Sequence, residues 1–263
     1  MKQLFLAILL AAGAAVTLVA QPAIQPPQLG FAAISGGSVR SVYGLAGNFI
    51  LGPSVAGSVL SQAFSGSLGL LKTASTLAAF DAQGHMLATS DTASGPALFA
   101  FAPDGVTALV YVASNNMLIE WTGFKFATVP FRPETSPDDI VLAIALPNAF
   151  EASLIVQRNE GIWQVQLPFT RSRVNSQKAL PGITAPLLAL ASGDLVYADG
   201  NGIVLRKPGN SELHIAGNLP AQFSLTQMDA DWVQLSDLAG PRRYAIRLTP
   251  GREGFYQLPE AGQ

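Results

Sequence analysis

Adjacent carboxylates are the first place to look for chemistry in this chain. Asp138 and Asp139 stand side by side in "PETSPDDIVLAIAL", with Arg132 and Glu134 just upstream. If Glu160 and Asp199 folded back onto that pair, the group would suit either an acid/base pair for glycoside or lactone hydrolysis or a calcium site, which draws six or more oxygens from such loops. A solvated loop that keeps one surface soluble accounts for the same residues. Other catalytic material is scarce. The chain has no cysteine and two histidines, His85 in "AQGHML" and His214 in "SELHIAG", far apart and without metal-ligand spacing. No Gly-x-Ser-x-Gly elbow or phosphate-binding Gly-rich loop occurs. The residues therefore predict no catalytic constellation, no metal and no cofactor.

What could position these residues is legible in the pattern of short strands. Charged residues are 12% of the 263, hydrophobic types 49%, and glycine and proline number 25 and 18. That balance suits many buried strands joined by tight turns. "LFAFAPDGVTALVYVASNNMLIEWTGFKFATVPF" reads as four consecutive antiparallel strands near 98–102, 107–113, 117–121 and 124–130, and the arrangement recurs. First strands begin near residues 62, 97, 140, 186 and 222, at spacings of roughly 35 to 46 residues. "GIWQVQLP" alternates Trp163, Val165 and Leu167 against Gln164 and Gln166, as a strand with one face on a core does. The first strand of each unit, as in "VLAIAL" or "PLLALA", is apolar at nearly every position and so reads as covered on both faces.

Four-stranded units of about 40 residues with such an inner strand predict an all-β fold, a β-propeller of four-stranded antiparallel blades. A sandwich or barrel assembled from the same hairpins is the alternative. Five units are complete. "GFAAISGGSVRSVYGLAGNFILGPS" adds at least two strands, which predicts a partial sixth blade at the N-terminus, with five or seven blades as the other possible counts. Trp121, Trp163 and Trp232 fall at strand positions where packing between blades is expected.

"FAFAPDGVTALVYVASNNMLIEW" resembles the repeat of bacterial exported β-propellers, in which the inner strand ends in Pro-Asp-Gly, the second reads like "LYVAS" and the third ends near a Trp. The likeness is close over residues 98–121 and degenerate elsewhere, where "ALPNAF", "LASGD" and "QMDAD" replace the turn. It implies architecture and little about activity, because such repeats serve many functions.

Residues 1–20 have the charged start, apolar middle and small-residue exit of a secretory signal peptide. An uncleaved anchor is the rival, since Leu4 to Ala20 reaches the lower length limit for a span. Residues 21–30 read as a proline-rich linker and 31–263 as a single propeller domain. Removing Lys2 with the leader leaves 14 basic residues against 17 acidic ones, which gives no footprint for nucleic acid. An exported chain without disulfides must be held by its core.

In such a propeller the turns between first and second strands gather on one rim, with Asp104, Asn148, Asp194, Asp229 and Asp231, all turn-forming types. The opposite rim collects the longer connections and with them Arg132, Glu134, Asp138, Asp139, Arg158, Glu160, Asp199, Asn201 and Asp237. Loops on a rigid scaffold are where binding concentrates, so these nine form the expected binding rim. The expectation is an exported, periplasmic or extracellular, monomeric binding or protein-interaction scaffold, not an enzyme. Its partner would be a protein, a small molecule or a carbohydrate, with no nucleic acid and no membrane after cleavage. A propeller hydrolase acting on a carbohydrate or lactone through rim carboxylates is the alternative.

Overall fold

A computed structural model describes residues 26–66, 68–129, 138–148, 151–168 and 176–260. The segment read as a signal peptide and most of the proline-rich stretch lie outside this range, as do Arg132 and Glu134. Among the described residues no helix is long and apolar enough to cross a membrane.

Strands follow one another through the chain and pair antiparallel with their sequence neighbours. The first sheet comprises β1 (Gln28–Ile34), β2 (Ser38–Leu45) and β3 (Asn48–Ala56). The second holds β4 (Ser61–Ser65), β5 (Leu68–Lys72), β6 (Thr76–Asp81) and β7 (Met86–Asp91). The third runs β8 (Ala97–Phe101), β9 (Ala108–Val112), β10 (Met117–Trp121) and β11 (Phe126–Thr128). The fourth has β12 (Ile140–Asn148), β13 (Glu151–Arg158), β14 (Gly161–Pro168) and β15 (Ser176–Ala179). The fifth has β16 (Leu187–Ala189), β17 (Leu195–Ala198), β18 (Gly202–Arg206) and β19 (Glu212–Ala216). The last has β20 (Phe223–Asp229), β21 (Trp232–Asp237), β22 (Arg243–Arg247) and β23 (Gly254–Gln257).

These sheets are the blades of a six-bladed β-propeller, five complete and one N-terminal and partial, as the repeat spacing predicts. The core is divided into six apolar slabs, one between each pair of neighbouring blades. That geometry explains the inner strands. On β8, Phe99 and Phe101 enter the slab shared with the second blade while Ala100 enters the slab shared with the fourth, so polar residues have no outward face to occupy. Outermost strands are the reverse: every residue of β15 is exposed. Trp121 and Trp232 are buried in slabs, as expected of packing tryptophans.

The partial blade departs from its siblings. Inner strands β4 and β20 pack directly on each other, so five strands surround the axis and β1 stands behind them. Its direction is also reversed. Gly30, near its start, lies against the end of β20, so close that a Cβ would sit 2.1 Å from the Met228 carbonyl oxygen, and its φ of +123° suits glycine alone. Gly37, just beyond its end, accepts a hydrogen bond from Val59 N–H at 2.9 Å, at the approach to β4. A sheet of three strands makes this possible, because an odd number returns the chain to the correct end to enter β4. β1 accordingly begins at Gln28, so the last three residues of the 21–30 stretch belong to the sheet, with Gly30 against β20.

Both faces of the partial blade are covered. Phe31 stacks on Phe64 with centroids 4.3 Å apart, and Phe49 meets Trp232 edge-on at 6.0 Å. The inward edge of β1 has no strand beside it, and the fully buried Gln234 of β21 takes that role. Its Nε2 donates to Ala33 O at 2.7 Å and its Oε1 accepts from Ala33 N–H at 2.8 Å. Gln234→Leu removes the partners of both the N–H and the C=O of Ala33 and should cost about 2–4 kcal/mol. A urea midpoint unchanged from the parent would show that this clamp is dispensable.

The Pro-Asp-Gly turn is also specific. Asp104 Oδ1 accepts from the N–H groups of Val106 and Thr107, both at 2.8 Å, and Oδ2 from the Thr107 hydroxyl at 2.8 Å. Desolvation pushes the Asp104 carboxyl pKa up, but these donors outweigh it and hold the pKa below its usual value. A depressed folded pKa gives stability that is present above the unfolded value of about 4 and lost as pH falls through the folded one. The melting-temperature difference between the parent and Asp104→Asn should therefore be largest above that range and shrink in stronger acid.

Candidate functional site

The axial channel opens on the rim that carries the blade-to-blade connections. There the opening halves of β4, β8, β12, β16 and β20 enclose a cavity of about 600 Å3. Each of these strands, or the residue leading into it, contributes leucine to the wall: Leu60, Leu98, Leu142 and Leu225 singly, and Leu187 with Leu188 from β16. Small residues (Ala63, Ala97, Ala143 and Ala185) let the strands approach without filling the space. Among the described residues no ionisable side chain lines the cavity.

Its polar residues are unevenly placed. Ser61 and Gln62 come from β4, and Ser224, Thr226 and Gln227 from β20, whereas β8, β12 and β16 present only apolar side chains. Ser61 Oγ is engaged as the acceptor of Ala97 N–H at 2.9 Å. Gln62 is 6% exposed, and neither its amide nitrogen nor its amide oxygen has a hydrogen-bond partner.

Around this mouth the expected rim residues separate into pairs. Arg158 grips Asp139 through Nε and Nη2 at 3.2–3.3 Å, reaches Gln177 Oε1 at 2.8 Å and lies over the Trp163 ring at 5.6 Å. Asp138 and Glu160 join this pair in lining a shallow depression on the fourth blade. Asp199 and Asn201 belong to another depression, between the fifth and sixth blades. Asp199 Oδ1 caps Asn201 N–H at 3.0 Å and Oδ2 meets His214 Nδ1 at 3.1 Å. The Asn201 N–H lowers the Asp199 pKa most, and His214 adds to the effect against desolvation. Asp237 is buried and holds Arg242 at 3.2 Å and Ala239 N–H at 3.0 Å. Asp199 thus does not share a depression with Asp138, Asp139 and Glu160. Among the described residues no cluster of three metal-ligating side chains exists.

Residues outside the sequence-derived set also stand out. Lys72 is fully buried at the end of β5, its Nζ donating to Thr73 O at 2.6 Å and Ala74 O at 3.1 Å, and burial pushes its pKa down. Gln62 and Gln227 were findable: "SQAFS" and "FSLTQMD" break the apolar rule that the other first strands obey.

No protein-family model matches the chain, and no curated protein matches its sequence. Solved structures do match in shape. One chain of the nidogen/laminin complex aligns over 89% of this chain and 99% of its own length, with a TM-score of 0.55 and 12% identity. TolB from Acinetobacter baumannii aligns over 85% of this chain and 62% of its own, at 0.52 and 13%. AztD from Citrobacter koseri aligns over 90% and 83%, at 0.50 and 9%. At these identities the similarity extends to the propeller fold and no further.

The ion pair on the fourth blade is a testable element of the rim. Arg158→Ala removes the guanidinium from a carboxylate that is 4% exposed, and because Arg158 itself is 19% exposed the loss is discounted to about 1–3 kcal/mol. A double-mutant cycle with Asp139→Asn should show coupling, and additive losses would mean that the pair contributes nothing.

Proposed function

We propose that this protein is an exported binding propeller that engages its ligand or partner on the connection rim, around the mouth of the axial cavity. The observation that carries this reading is the separation of charge from cavity: carboxylates stand on the rim, and among the described residues none faces the axis. Glycoside or lactone hydrolysis through these acids would need two of them to converge on one substrate atom. Asp139, Asp199 and Asp237 are instead each occupied by a cation or a histidine. Rim pairs of this kind set orientation and partner choice, while an apolar cavity supplies contact area.

Export is supported by the signal-like start, and a cysteine-free exported chain would be held by its six apolar slabs. The Pro-Asp-Gly turn and its "LVYVAS" strand support kinship with exported bacterial repeat propellers. The partner is a protein, a small molecule or a carbohydrate.

Photo-crosslinking residues placed in the host at Glu160 and Asn201 on the connection rim, and at Asp104 and Asp194 on the opposite rim, test the assignment. Adducts should concentrate at the first two positions. Adducts confined to the other two would overturn it, as would glycosidase or lactonase turnover lost in Asp139→Asn or Glu160→Gln.

A further inference from the structure

The cavity wall carries unspent hydrogen-bonding capacity on one side only. Gln62 and Gln227 are both more than nine-tenths buried, and the Gln62 amide is without a partner. Ser224 and Thr226, on the strand that meets β4, likewise have no side-chain hydrogen bond among the described residues. An orphaned buried amide is costly, and native structures retain one only where something else satisfies it. The remaining wall is a collar of leucine, alanine and proline that offers nothing polar.

We infer that the axial cavity is a binding site for a small neutral amphipathic molecule, whose apolar body lies on β8, β12 and β16 and whose amide or hydroxyl edge is met by Thr226 and Gln227 and by Gln62, whose shielded amide gains the partner it lacks by turning to the cavity surface. The inference rests on the connection-rim reading and narrows it to a ligand class. Neutrality follows from the wall: a charged group would be stripped of water there with no counter-charge to meet it. An amide or hydroxyl edge follows from the glutamine side chains, which present donor and acceptor together and so complement a group that does the same. The size agrees, since cavities of a few hundred Å3 hold ligands of drug-like dimensions.

N-phenyl-1-naphthylamine, a neutral apolar fluorophore with one N–H, reports occupancy by enhanced emission. Octanamide and octanoate then serve as displacers that differ only in the polar end. The expected result is one probe per chain, displaced about tenfold more readily by octanamide than by octanoate at neutral pH, because the amide offers the polar side chains a donor and an acceptor together whereas the anion offers acceptors alone and meets no counter-charge. Gln62→Leu and Thr226→Val should each cut that preference to about threefold or less while still binding the probe. Leu60→Trp, at a position 52% exposed at the mouth, should weaken the probe and both displacers together without touching the core. Failure of the parent to bind the probe, equal displacement by the two octyl compounds, or a preference unchanged in both polar variants would overturn the inference. Connection-rim crosslinks to a protein partner with no probe binding would sink this ligand class and leave the rim reading standing. Probe binding with crosslinks only on the opposite rim would sink both.

Discussion

Everything about this ring depends on how it closes, and closure is a matter of satisfying the backbone N–H and C=O of one residue, Ala33. A propeller commonly joins its ends by lending a strand to a blade begun by the other terminus. Here the last blade is complete in itself, and the N-terminal segment forms its own three-stranded sheet. The inward edge of β1 would otherwise bury bare backbone groups, an expensive arrangement. Gln234 answers this with a side-chain amide that copies the donor and acceptor of a neighbouring strand. Asp229 adds a second tie, its Oδ1 accepting from Gly66 N–H at 2.6 Å and linking the last complete blade to the first. With the polar groups settled, packing of Phe31 on Phe64 and Phe49 on Trp232 can hold the wedge on both faces.

The same seam determines the character of the cavity. Where inner strands are flanked by two complete blades, both faces are apolar and the wall is greasy. At β4 and β20 the neighbour is a reversed sheet set back from the axis, and it is on these two strands that Gln62, Ser224, Thr226 and Gln227 occur. Closure and amphipathic lining are two aspects of one irregularity, which is why the polar wall is found at the junction of the chain's ends.

Much of the architecture is legible in the sequence because its cause is local. Inner strands at 97 and 140 begin where expected, and those at 61, 187 and 223 one residue away, since Gly, Pro and Asp mark each turn and both-face burial makes the strands uniformly apolar. Alternation in β14 survives as Val165 and Leu167 facing the core. The reversal of β1 was not legible: it depends on contacts with Met228 and Gln234, some two hundred residues away in sequence, and no periodicity encodes them. The candidate site divides in the same way. Rim positions follow from turn placement, but the pairing of Asp139 with Arg158 and of Asp199 with His214 needs coordinates. The cavity's glutamines could be noticed as anomalies, whereas their lack of partners could not.

A ribosome makes this chain in an awkward order. Ala33 is among the first residues of the domain to appear, and the glutamine that completes it lies 201 positions later. Until then the opening sheet has two greasy faces and an unclosed edge, the combination that draws stray β-strands together. Contacts of such long range also make ring closure slow relative to the hairpins within each blade. Blades built from local hairpins thus form before the ring does, and the open end of the first sheet needs cover until Gln234 reaches Ala33.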